Sequence, residues 1–249
     1  MQWIEIALIG AGVGFLGGLF GKGGSAVATP LLFLAGVPAI SAVASPLPAT
    51  IPGTLVAADA YRRAGLIDRR TVLWSCASGL PATIVGALST KWIDASALVV
   101  ATEVILIAIG VRLLLSPSQA GSDGGGGEVE TAERWRLVVV GALVGLAAGL
   151  LANSGGFLLA PLYLGLARLT IKPALAASLA VSAVLAVPGT VVHAFLGHIE
   201  WSVTLVLAAA SVPASRFGAT VAIRTESERL ERLYGAALAV LGTVLLLLR

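Results

Sequence analysis

The sequence predicts an all-α, polytopic membrane protein built from two related halves, and three observations carry that prediction. Of the 249 residues, 57% are hydrophobic and only 12% charged, about half the ~25% charged content of soluble domains. Mean hydropathy is +0.97, so lipid has to solvate most of the exterior. Apolar runs of near-spanning length recur along the chain, and the residue pattern of the first part reappears in the second.

The apolar runs cover residues 3–20, 42–60, 70–89, 96–115, 136–152, 174–196, 202–222 and 233–248. Each is near the roughly 17–25 residues that a spanning helix needs. Ile4 to Phe20 has no basic flank and carries Glu5, so it is expected to stay as a membrane segment and not to be cleaved as a signal peptide. Two shorter apolar stretches, 25–36 and 156–167, follow breaks of small residues. The one hydrophilic stretch, 116–134, contains a Gly run and an acidic tail, the composition of a flexible linker. The expected organisation is therefore a first transmembrane repeat at 1–115, a cytoplasmic linker at 116–134 and a second repeat at 135–249.

The duplication is visible residue by residue. Gly14, Gly18 and Pro30 recur 131 residues on as Gly145, Gly149 and Pro161. Gly23-Gly24, Gly65, Ile67, Asp68, Pro81 and Gly86 recur 132 on, with Glu200 in place of Asp68, and Ser45 recurs 133 on as Ser178. The 30 glycines and 11 prolines suit membrane helices, which tolerate both. A scattered net charge of +3 gives no basic stripe for nucleic acid. The single cysteine, Cys76, excludes an intramolecular disulfide and a Cys-based metal cage. Its apolar surroundings favour core packing over sulfur chemistry.

Charge placement orients the chain, because cytoplasmic loops collect Lys and Arg. If each short stretch merely continued the helix before it, each half would cross four times and basic residues would fall on both sides. If each turns back, each half contributes about four spanning helices plus a re-entrant half-helix, five membrane segments in all. An odd count inverts the second half relative to the first. Arg62, Arg63, Arg69, Arg70, Arg134, Arg136, Arg168, Lys172, Arg224, Arg229 and Arg232 then all face the cytoplasm, and the N-terminus lies outside. The expectation is an inverted 5+5 repeat.

The breaks themselves, in Gly17–Leu32 and Gly149–Leu164, are each an apolar helix, a small polar interruption and a short helix containing a proline. Glycine lets the backbone leave helical geometry, which lipid tolerates only where protein or water satisfies the freed groups. The amides that open the second helix favour anions, and inverted-repeat transporters place such broken helices around the solute. Gly21, Lys22, Gly23, Gly24 and Ser25 form the first candidate site, and Asn153, Ser154, Gly155 and Gly156 the second. An ammonium, hydroxyls, an amide and two helix N-termini suit a small oxyanion. The competing reading is close helix packing, the common use of membrane glycines.

At these residues the sequence resembles the TauE/SafE family of sulfite exporter-like membrane permeases. The matching elements are "GKGGSAVATP", "NSGGFLLAP" and His193-Ala-Phe-Leu-Gly197-His-Ile199-Glu200, with a degenerate copy at Tyr61–Asp68. The resemblance covers nearly the whole chain outside the linker. It departs at Ala44-Ser45-Pro46 and Ala177-Ser178-Leu179, where the family often shows Gly-Thr-Ser; Ser45 and Ser178 are further candidates for the binding site. The resemblance implies a multi-pass protein of the plasma (inner) membrane. It also implies transport of sulfite, thiosulfate or a sulfonate, with coupling to protons.

Polar residues inside apolar runs need a reason, since a charge at the bilayer centre costs about 2.5–3.5 kcal/mol on insertion scales. Arg216 either grips an oxyanion through two parallel hydrogen bonds or pairs with Glu103 across two helices. Glu103 is either that partner or a proton carrier. His193 either binds the anion, carries a proton or is structural. Asp68 and Glu200 precede helical segments, where acids cap N-termini, and Asp59 is spaced to pair with Arg62 or Arg63. Trp3, Trp74, Trp92, Trp135 and Trp201 fall near segment ends, as an interfacial belt requires.

These readings favour a secondary transporter of a small anion. "GKGGSA" lacks the upstream glycine spacing and the following Ser/Thr of a nucleotide-binding loop. His193, His198 and Glu200 are too few for an enzyme site, and no cofactor or metal is expected. A channel, or a membrane subunit of a larger complex, remains an alternative. The expected partners are a small anionic solute and the bilayer, not nucleic acid, and a homo-oligomer is a further candidate assembly.

Overall fold

The computed structural model describes residues 2–21, 25–89, 111, 133–150 and 155–247. Among them every element is helical. The first half contains α1 (Gln2–Phe20), α2 (Ser25–Leu34), α3 (Ala39–Ala44), α4 (Pro46–Arg63) and α5 (Arg69–Ser89). The second contains α6 (Arg134–Leu150), α7 (Gly156–Gly165), α8 (Ile171–Phe195), α9 (Trp201–Arg224) and α10 (Ser227–Leu247). The 42–60 run is corrected in detail: its helical stretch starts at Ala39, and α3 passes into α4 through Ser45, whose backbone stays right-handed helical (φ −65°, ψ −31°). Among the described residues four stretches, Trp3–Phe20, Ala39–Arg63, Ile171–Phe195 and Trp201–Arg224, are long and apolar enough to cross a bilayer. Residues 116–132 of the predicted linker, and all of the 96–115 run except Val111, lie outside the described residues, and α6 starts at Arg134, the last residue of that linker.

Small residues set how the helices cross. A Cβ added at Gly10 would meet Leu207 O at 2.9 Å, one at Gly14 would meet Ser211 O at 2.5 Å, and one at Gly18 would run into the Ser215 carbonyl. Contacts that advance together along both chains mean that α1 and α9 lie side by side in the same direction. α5 and α6 repeat the arrangement, with Gly141 against Ser75, Gly145 against Gly79 and Gly86 against Leu146. Thus Gly14, Gly145, Gly86 and Gly218, all picked out by the repeat, do the work of close helix approach.

The course of the chain follows from similar contacts. Gly14 and Gly17 line one cavity with Thr50 and Thr54, and the Tyr61 hydroxyl donates to Gly18 O at 3.3 Å. So α1 and α4 run the same way, and α2 carries the chain back between them. Ala28 of α2 sits by Gly10 and Val13, and Leu32 and Val37 join Ile6 and Val203 in one core cluster. α8 runs against α4, since Leu47 lies by Gly189 while Ala58 lies by Ala180.

One end of the bundle consequently gathers the basic residues. Arg63 and Arg224 share a groove, Lys172 Nζ donates to Ile223 O at 2.9 Å, and the Arg134 guanidinium lies 5.8 Å from the Trp74 ring centre. Trp3, Trp74, Trp135 and Trp201 are 40–57% exposed, as side chains facing an interface should be. Asp59 bonds Arg62 at 2.6 Å and Arg63 at 2.7 Å. Asp68 caps α5 through the Arg70 and Thr71 amides, both at 3.0 Å.

Glu200 departs from that capping pattern. Its carboxylate makes no cap bond to α9 and instead accepts from the Ser202 hydroxyl at 3.2 Å.

Candidate functional site

The two glycine breaks converge on one buried hydroxyl. Ser178 of α8 is fully buried, and its Oγ lies 2.6 Å from Gly21 O and 3.1 Å from Gly156 O. A hydroxyl carries one proton, so these two carbonyls share it. Gly21 follows the last residue of α1, and Gly156 opens α7, so a single side chain ties the end of one broken helix to the start of the other.

Glycine is required on both sides of this junction. Gly21 has φ +67° and Gly155 has φ +65°, the left-handed region that costs other residues roughly 1–2 kcal/mol. A Cβ on Gly21 would also press on the Leu175 backbone at 2.9 Å, and one on Gly155 on Val144 Cγ1 at 2.6 Å. The Leu158 and Leu159 amides both donate to Gly155 O, at 3.0 and 3.3 Å, so the left-handed glycine closes the first turn of α7. Lys22, Gly23, Gly24, Asn153 and Ser154 lie outside the described residues. So does Glu103, and nothing is described of the Ser25 side chain. Lys22 is nonetheless the next residue in the chain after Gly21.

Beside the junction, a cavity of about 20 Å³ separates α1, α4 and α9, with Thr50, Thr54, Ser211 and Ser215 in its wall. That is room for one water and not for a polyatomic anion. Each of these hydroxyls donates to a carbonyl of its own helix, which turns oxygen lone pairs toward the cavity.

Other predicted residues stand apart from the junction. Ser45, although the repeat counterpart of Ser178, accepts the Glu200 amide at 3.0 Å, and its carbonyl accepts from the Thr204 hydroxyl at 3.1 Å. It pins the α3–α4 join to the start of α9. His193 sits at the far end of α8, 15 residues or about 22 Å along the axis from Ser178, with its Nδ1 3.2 Å from that of His198. Arg216 is exposed on the outer face of α9, in a groove with Asp59 and Arg63, and is not brought to the breaks. Cys76 is half-buried and packs on the main core cluster.

One buried acid escaped the sequence reading. Glu231 is only 4% exposed, beside the fully buried Leu230 and one turn before the fully buried Tyr234. The Tyr234 ring lies 5.7 Å from that of Phe20, the last residue of α1. The apolar run begins at residue 233 in the sequence, but the buried Leu230, Tyr234, Leu238 spacing extends the inner face of α10 back past it.

If Ser178 holds the junction, Ser178→Ala should cost about 1–3 kcal/mol of stability, because two buried carbonyls lose their donor. It should also slow transport severalfold. Ser182 bonds only within its own helix, at 2.7 Å to Ser178 O, so Ser182→Ala serves as the control. Equal melting temperatures and rates for the two variants would refute a special role for Ser178.

A multi-pass helical bundle broken at glycine in two corresponding places is the build of a membrane permease. Among the described residues no three His, Cys, Asp or Glu side chains group as a metal site. The chain belongs to the sulfite exporter TauE/SafE family, whose model matches residues 6–245. It is similar to "Probable membrane transporter protein YunE" of Bacillus subtilis (strain 168), 24% identical over 267 residues covering 99% of this chain and 98% of that protein. A "Probable membrane transporter protein" of Xylella fastidiosa (strain Temecula1 / ATCC 700964) is 31% identical over 108 residues, 43% of this chain and 41% of its own length. No solved structure matches the chain. It is an integral, multi-pass membrane transporter and not an enzyme.

Proposed function

We propose that this transporter carries a small oxyanion, of the sulfite, thiosulfate or sulfonate class, bound where the two glycine breaks meet. The observation that carries the reading is the Ser178 hydroxyl within hydrogen-bonding distance of both Gly21 O and Gly156 O. On this reading the amides opening α2 and α7, whose partial positive charge favours an anion, face the solute. Lys22, Asn153 and Ser154 supply the charge and the polar contacts beside them. The sulfur chemistry of the solute comes from the family, and Glu103 or His193 would carry a coupled proton.

The architecture that suits this site is an inverted pair of five-segment repeats. It is supported by α4 and its counterpart α8 running in opposite directions, by α2 doubling back along α1, and by the basic residues collecting at one end. On this reading the basic end is cytoplasmic, and the narrow cavity at Thr50 and Ser215 belongs to a closed part of the solute path. Parting α9 from α1 and α4 would open it.

The reading is tested with purified protein against sulfite, sulfate, thiosulfate, sulfonates and carboxylates, by thermal shift and by flux into vesicles. Selective stabilisation by sulfur oxyanions with saturable flux is the expected result; no anion response, or non-saturating conduction, would overturn it. Topology is tested separately in a Cys76→Ser background. Ala64→Cys and Ser122→Cys should be labelled only from the cytoplasmic side and Phe195→Cys only from outside. Labelling of Ala64→Cys and Phe195→Cys from the same side would exclude the inverted arrangement.

A further inference from the structure

We infer that the groove between α4 and α9 at the basic end is a binding site for the phosphate headgroup of an anionic phospholipid. The groove has a volume of about 590 Å³, and Arg63, Arg216 and Arg224 line it together with Asp59. Three guanidiniums therefore meet one carboxylate, which is already engaged by Arg62 and Arg63. Arg216 and Arg224 form no ion pair with any described residue, and the groove retains net positive charge.

Depth makes Arg216 the informative member. It lies eight residues before Arg224, the last residue of α9, which is about 12 Å along the helix axis. An arginine that deep in a spanning segment is costly unless an anion meets it. Its side chain is exposed, and its neighbour Phe217 is 64% exposed, so this face of α9 looks toward lipid. The opposite face, carrying Ser211, Ser215 and Gly218, packs against α1 and α4. Leu55, Val56 and Ile223 complete the groove wall and offer an apolar track for an acyl chain below the headgroup. Basic pockets between spanning helices at the cytoplasmic side take phospholipid headgroups by this combination of charge and grease. The site is separate from the junction at Ser178 and does not depend on which solute binds there.

The test uses the full-length protein in nanodiscs of equimolar phosphatidylglycerol and phosphatidylcholine, released and weighed by native mass spectrometry. The wild type should retain phosphatidylglycerol over phosphatidylcholine. Arg216→Gln and Arg224→Gln should each lower that preference about fivefold. Arg232→Gln removes an exposed charge at the same end, one paired with Glu228 outside the groove, and should leave the preference intact. Arg216→Lys should retain part of it, since the charge stays while the planar fork is lost. No preference in the wild type, or equal losses in Arg232→Gln and Arg216→Gln, would overturn the inference. So would displacement of the lipid by millimolar inorganic phosphate, which would mark a free-anion site. A variant that fails to give a monodisperse protein is replaced by Arg216→Lys for the comparison.

Discussion

Gly18→Ala is expected to be the most damaging single methyl in the bundle. A Cβ there would fall on the Ser215 carbonyl, with the Ser215 carbonyl carbon at 2.8 Å and the Ala219 nitrogen at 2.9 Å. All three are backbone atoms of α9, so no side chain can swing away, and the helices must separate. Overpacking a tight site costs roughly 1–3 kcal/mol, occasionally more, and a rigid helix wall puts this site at the upper end. The melting temperature in detergent should fall by on the order of 10 °C. Gly145→Ala should behave alike, because its Cβ would strike the Gly79 carbonyl in the counterpart crossing of α6 and α5. Gly12→Ala is the opposite case. Nothing lies within 4 Å of its Cβ, so the substitution should be neutral or stabilise by up to about 1 kcal/mol, the ordinary helix preference for Ala. Equal melting of Gly18→Ala and Gly12→Ala would show that the α1–α9 approach is not as close as described.

The fold was legible in the sequence where physics acts locally, and the site where it acts in pairs. Apolar length gave the helices, and the spaced matches of Gly14 with Gly145 and Pro30 with Pro161 gave the repeat. The same matches carried two meanings that one dimension does not separate. Gly14, Gly18 and Gly145 serve helix crossing, whereas Gly21 and Gly155 serve a left-handed turn at a break. Only the backbone angle and the neighbour distinguish them. Arg216 was ambiguous for a related reason. A helix apolar on all sides has no periodicity to say which face is inner, so its outward position could not be read. The Glu200 amide finds its partner in Ser45, 155 residues earlier, and no local capping rule anticipates that contact. Ser178 entered as a repeat match and a candidate anion contact, and it is the residue where the breaks join. Its role depends on two carbonyls that are 135 residues apart in the chain.

Lys22→Ala should separate recognition from architecture. Lys22 follows Gly21 directly in the chain, and Gly21 O accepts from Ser178 Oγ at 2.6 Å. On the proposed reading its ammonium is the one full positive charge in the two breaks, and the remaining contacts are neutral dipoles. Hydrogen bonds to a charged group contribute about 1.5–3 kcal/mol. Removing the ammonium should therefore raise the half-saturating anion concentration by at least about tenfold. On that reading melting without solute should stay near wild type, because the partner the ammonium loses is the solute. Ser178→Ala should show the reverse signature, with lower stability and slower flux but a smaller change in half-saturation. Lys22→Arg should recover part of the affinity, since it keeps the charge and changes its geometry. Wild-type affinity and flux in Lys22→Ala would remove the lysine from the site and leave the helix N-termini as the anion's contacts. A loss of stability equal to that of Ser178→Ala would instead make the lysine part of the scaffold. The crossed pair of readouts decides between a residue that meets the solute and one that holds the place where the solute binds.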